Sequence, residues 1–83
     1  MYDKEKGIYP QGHYVAGQDL PLGSYLLTPI DGEQGDLKVY KSYEDFLNKD
    51  QIIWELFNSE YFVRIMSENS YVVVTGASIQ RVS

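Results

Sequence analysis

Gln51-Ile52-Ile53-Trp54-Glu55-Leu56-Phe57-Asn58-Ser59-Glu60-Tyr61-Phe62-Val63-Arg64-Ile65-Met66 carries the strongest strand signal in the chain. Two runs rich in β-branched and aromatic residues flank Asn58-Ser59, the pattern of a β-hairpin. A two-residue loop sets Phe57 opposite Glu60. Side chains alternate across a strand, so Ile52, Trp54, Leu56, Tyr61, Val63 and Ile65 then share one face. That face is wholly apolar and is the predicted core. A three-residue loop would put Arg64 across from Trp54 and Glu55 across from Val63, so the shorter loop is preferred. It leaves Ile53, Glu55, Phe57, Phe62, Arg64 and Met66 on the second face. There Glu55 and Arg64 are expected to form a diagonal exposed pair worth roughly a few tenths of a kcal/mol.

Towards the C-terminus, Ser67-Glu68-Asn69-Ser70 reads as a turn and Tyr71 to Thr75 as a β-branched, aromatic strand. Gly76 marks a bulge or bend, and Ala77 to Val82 closes the chain as a last strand. Towards the N-terminus, Ser42-Tyr43-Glu44-Asp45 resembles a capping box and predicts one short helix near residues 43–49. So short a helix holds only by packing, through Phe46 and Leu47. Leu37 to Tyr40 is a half-buried strand, preceded by a turn-rich loop over residues 31–36. Ser24 to Thr28, Tyr14-Val15 and Ile8-Tyr9 are further short strands, the last ended by Pro10. Pro21 and Gly23 suit a type I turn from Leu20 to Gly23, with the Asp19 carboxylate as its cap. Residues 1–7 are expected to be a flexible N-terminal tail and residues 8–83 a single β-domain. The predicted fold is all-β and mainly antiparallel, a small β-sandwich or partly open barrel of about seven short strands with one short helix.

The segment Gly12-x-Tyr14-x-x-Gly17-x-Asp19-Leu20-Pro21-x-Gly23-x-Tyr25 resembles a G-x-Y-x-V-G-x-D-I-P-x-G-x-Y pattern of small β-domains in Gram-positive bacterial surface proteins and lipoproteins. The later Ser70-Tyr71-Val72-Val73-Val74-Thr75-Gly76-Ala77 is similar to that family's closing G-x-x-L-x-V-x-G-A strand. Ala16-Gly17 stands where the pattern spells Val-Gly, and Ser70 where a turn glycine is common. The resemblance implies an all-β domain of uncharacterised function. It brings no catalytic residue to carry over.

The chain has 83 residues, enough for one domain with a small core. It has no cysteine, so neither a disulfide nor a thiolate metal site contributes. Eight tyrosines, three phenylalanines and one tryptophan lean the composition towards β structure. A net charge of −5 with scattered basic residues argues against nucleic acid and anionic membranes. No apolar run approaches the ~18 residues of a membrane helix, and no signal peptide is visible. The expected setting is therefore cytoplasmic for a complete protein and cell-surface for an excised domain.

Chemistry-bearing residues are few. His13 is the only histidine. Histidine is a common general base, but no G-x-S-x-G elbow accompanies this one, and it is expected to be a strand residue without a catalytic role. Asp31, Glu33 and Asp36 share one loop, yet they miss the calcium-loop template and read as a solvated turn. Glu55 and Glu60 give no sign of the paired carboxylates of a glycosidase. Neither a metal nor a cofactor is expected.

What stands out is the apolar second face. Ile53, Phe57, Phe62 and Met66 lie there, and Tyr71 extends it if the next strand pairs alongside. The helix could cover this face, a mid-sandwich position could bury it, or it could be an interface. These five residues are the candidate partner-binding set. The expected function is a non-enzymatic interaction module that binds a protein partner or itself, for instance as a homodimer. A carbohydrate- or cell-wall-binding module, with a glycan as partner, is the alternative, weakened by Trp54 falling on the predicted core face. A small enzyme is the second alternative.

Overall fold

The structure, a computed structural model, describes residues 7–82. Most of the expected N-terminal tail, residues 1–6, lies outside the described residues, as does Ser83. Gly7, the last residue of that tail, accepts from Arg81 N at 2.7 Å through its carbonyl.

The described residues form eight strands: β1 Ile8–Tyr9, β2 Gly12–Val15, β3 Gly23–Pro29, β4 Gly35–Tyr40, β5 Gln51–Phe57, β6 Tyr61–Ile65, β7 Tyr71–Thr75 and β8 Ala77–Arg81. One short helix, α1 Tyr43–Leu47, joins β4 to β5. The strands make two four-stranded sheets, β1-β8-β3-β6 and β2-β7-β4-β5. Every pairing is antiparallel. The all-β sandwich is thus as predicted, with one strand more than expected and its edges open. Among the described residues no helix is long and apolar enough to cross a membrane.

Side chains from the facing sides of both sheets make one core. Tyr25, Leu27 and Ile79 come from the first sheet, and Leu37, Val72 and Val74 from the second; all are virtually inaccessible. Leu20, from the link between β2 and β3, is equally enclosed. Two of the tyrosines are set by a repeated local device, Pro10-Gln11-Gly12-His13-Tyr14 and Pro21-Leu22-Gly23-Ser24-Tyr25. In each, the tyrosine hydroxyl donates back to the proline carbonyl, Tyr14 to Pro10 and Tyr25 to Pro21. The hydroxyl thereby finds a partner while its ring is buried, as a buried phenol requires. Tyr9 packs edge-on against both rings, at 5.9 and 6.4 Å.

The chain hops between sheets at nearly every link. Gly76 is one such corner, at φ +71°, between β7 in one sheet and β8 in the other. A Cβ there would fall 2.2 Å from Gln34 O, and Gly76 N donates to Gln11 Oε1 at 2.8 Å. The expected bend is therefore a tightly packed crossing. The hydrogen-bonded turn after β2 differs from prediction. It spans Val15 to Leu20 rather than Leu20 to Gly23. Asp19 and Gln18 N donate to Val15 O, and the Asp19 carboxylate accepts from Val15 N at 3.0 Å.

The largest correction concerns residues 51–66. β5 and β6 are not a hairpin. β5 pairs with β4 in one sheet, β6 with β3 in the other, and Asn58-Ser59-Glu60 carries the chain across. The predicted inward face holds for β6, where Val63 and Ile65 are buried and Tyr61 packs against the core. It is reversed for β5. Phe57 is 7% exposed and stacks on Tyr61 at 5.5 Å, while Trp54 is 55% exposed. The reason lies across the sheet. Phe57 pairs with Gly35, and a Cβ at Gly35 would fall 2.1 Å from the Phe57 ring. The glycine is a slot for that ring. With Phe57 locked inward, alternation turns Ile53 in and Ile52, Trp54 and Leu56 out. The expected Glu55–Arg64 pair is also lost: Glu55 lies opposite Leu37 and Arg64 opposite Ser24, in different sheets.

Candidate functional site

Helix α1 is anchored as its sequence suggests. Ser42 Oγ accepts from Asp45 N at 3.2 Å, the expected cap. At the other end Lys49 N donates to Phe46 O at 3.1 Å and Asp50 N to Asp45 O at 2.9 Å, a pair of bonds that closes the helix in a Schellman-type turn. That turn demands a left-handed residue, and Lys49 supplies it at φ +57°. Glycine is the usual occupant, because a side chain there costs roughly 1–2 kcal/mol.

The helix lies on the outer face of the second sheet. Phe46 meets Tyr71 at 4.5 Å and stands edge-on to Tyr40 and His13 at 5.3 and 5.6 Å. His13 Nδ1 and Tyr71 Oη are 2.8 Å apart. Burial raises the Tyr71 phenol above its ordinary pKa, and the nearby Tyr43 and Asp19 push the same way. Next to this cluster, Val73, Lys38 and Trp54 form one cross-strand row with His13. Lys38 Nζ sits 5.3 Å from the centre of the Trp54 ring, a cation–π contact.

Beside α1 lies an open groove of about 500 Å³. β4 contributes Lys38 and Tyr40, α1 contributes Phe46 and Leu47, β5 contributes Gln51 and Trp54, and Lys49 completes the rim. Along β5, Ile52, Trp54 and Leu56 form an outward stripe, each more than half exposed. Among the described residues β5 is an edge of its sheet, with β4 its one strand partner. A second recess, of about 200 Å³, opens where the β5 and β6 edges approach and is lined in part by Ile53, Ile65 and Met66.

The five sequence-predicted partner-binding residues do not share a face. Ile53 and Met66 meet at the smaller recess. Phe57 is in the core. Phe62 is exposed on the outer side of β6, and Tyr71 is half-buried under Phe46. The helix therefore covers the Tyr71 part of the expected patch and none of the Phe62 part. The residues that prediction missed are those of the groove and of the β5 stripe. Their signal was the Gly35–Phe57 match, which reverses the strand, and Lys38, whose alternation with Leu37 and Val39 already set it outward.

Asp31 and Glu33 stay in an exposed loop while Asp36 belongs to β4. Among the described residues no three His, Cys, Asp or Glu side chains come together as metal ligands would. No protein-family model, no curated protein and no solved structure matches the chain.

Proposed function

We propose that this domain is a non-enzymatic interaction module that binds a protein partner, or a second copy of itself, along β5. The observation that carries this is the exposed Ile52-Trp54-Leu56 stripe on an open sheet edge. Edge strands are ordinarily blunted by lysine, proline or a short length. Gln51–Phe57 runs for seven residues with neither lysine nor proline and with Glu55 as its one charge. Such an edge offers backbone hydrogen bonds and apolar side chains together, the two elements of strand addition. His13 engages Tyr71 and Phe46 rather than a serine or a carboxylate, which favours binding over catalysis.

The test is light scattering of the purified domain across a wide concentration range, together with affinity capture by wild type and by Ile52→Ser/Leu56→Ser. Concentration-dependent mass or captured protein should appear with wild type and vanish with the double variant. A strictly monomeric wild type that captures nothing the variant does not would refute it.

A second reading, a carbohydrate-binding module, is favoured by Trp54. The residue expected in the core instead presents more than half its surface beside a groove. Exposed aromatic rings of this kind stack on the C–H faces of sugars.

A further inference from the structure

The groove beside α1 is electrostatically out of character with the chain. The protein carries a net charge of −5, yet two lysines and no carboxylate line this recess. Among the described residues neither Lys38 nor Lys49 is held in an ion pair. Lys49 moreover occupies the left-handed position at which any side chain is disfavoured. The hydrogen bonds that close the helix there are made by backbone alone, so glycine would make them equally well. The helix dipole offers lysine little in return over only five residues.

We propose that this groove binds a carboxylated sugar ring, with the ring's apolar face on Trp54 and its carboxylate between Lys38 and Lys49. The proposal deepens, and rests on, the carbohydrate-binding reading. The cation–π contact sets Lys38 Nζ over the Trp54 ring at 5.3 Å, so a sugar stacking on that face takes its place and meets the displaced ammonium with its carboxylate. Gln51 offers an amide donor and acceptor to ring hydroxyls. A volume of about 500 Å³ matches a small ligand, within the ~300–1,000 Å³ range of such pockets. An extended peptide is better served by the open β5 edge, where backbone groups can pair with it. The surplus of negative charge elsewhere disfavours long polyanions, so the ligand is compact and singly charged.

The chain has a single tryptophan, which makes Trp54 its own reporter. Tryptophan fluorescence of the full chain is titrated with glucuronate, glucose, acetate and a short acidic peptide. Glucuronate should give a saturable change, glucose one at least about tenfold weaker, and acetate and the peptide none. Lys38→Gln and Lys49→Gln should each weaken glucuronate binding about tenfold. Lys49→Gly should weaken it equally while raising the melting temperature, so its lost binding is not lost folding. Equal response to glucose and glucuronate, or glucuronate binding indifferent to both lysines, overturns the carboxylate assignment and leaves a neutral-sugar site standing. Binding of the peptide in place of glucuronate overturns the sugar assignment. Silence towards every ligand overturns both the inference and the carbohydrate-binding reading.

Discussion

Gly35→Ala tests the reversal of β5 at its cause. The φ of Gly35 is not in the left-handed region, so alanine adopts its backbone freely and the perturbation is steric. The new methyl would lie 2.1, 2.3 and 2.6 Å from three Phe57 ring atoms, where ordinary contact begins at 3.4 Å. The ring must retreat by about 1.3 Å from a site it shares with Tyr61. Overpacking of this kind costs about 1–3 kcal/mol, and the stiffer unfolded chain returns about 0.4–1 kcal/mol, for a net loss of roughly 1–2 kcal/mol. In a domain of this size that lowers the melting temperature by roughly 5–15 °C. The assay is thermal and urea denaturation followed by circular dichroism, with Trp54 emission recorded in the native state. That emission should lie near the unfolded chain's, because the ring stands in water. Phe57→Leu in the same background should recover part of the loss, giving a favourable coupling of about 0.5 kcal/mol or more. An unchanged melting temperature, additive effects, or a blue-shifted native Trp54 would refute the slot and restore Trp54 to the interior.

Three other expectations concern the scaffold. Tyr25→Phe removes the hydroxyl that donates to Pro21 and leaves that carbonyl short of a partner; unfolding should show a loss of about 1 kcal/mol. Burial raises the Tyr25 pKa, Tyr9 adding to the shift and Arg81 opposing it. The folded state therefore holds this proton more tightly than the unfolded one. Its contribution is complete below the unfolded value of about 10 and is lost as pH climbs from there through the folded value. Melting temperatures taken from pH 8 to 11 should fall at the alkaline end, and less steeply in Tyr25→Phe. Ser42→Ala deletes the α1 cap and should cost about 1 kcal/mol, with the Phe46 and Tyr71 ring resonances shifting together in NMR spectra.

The strands were legible because runs such as Gln51–Phe57 and Tyr71–Thr75 are β-branched and aromatic and have no rival as helices. The Ser42 cap was legible for the same local reason. What local pattern could not show was which side of β5 faces inward. Both of its faces are largely apolar, and Glu55 made the set containing Trp54 look like the core. The outcome turned on Gly35, sixteen residues or more from every residue of β5, whose missing side chain admits Phe57. Nor does Asn58-Ser59 reveal whether it turns back within one sheet or crosses to the other, since either path is a short polar link. The groove was hidden with the register, because it forms only once Trp54 points outward and α1 settles beside it. The doubled Pro-x-Gly-x-Tyr spelling was in plain view, but its meaning, a phenol bonded back to a proline carbonyl, needs coordinates.

Because six of the seven links between strands switch sheets, almost no strand finds its neighbour nearby in the chain. β4 and β5 alone are consecutive and paired; β1 must wait for β8, synthesised some seventy residues later. Folding of so non-local a topology is slow, on the order of milliseconds to seconds, and few partial structures along the way are worth keeping. Throughout that interval the greasy rim of β5 is open to other chains, so the strand proposed above to capture a partner also makes dilute, cool refolding the safer route to a well-folded product.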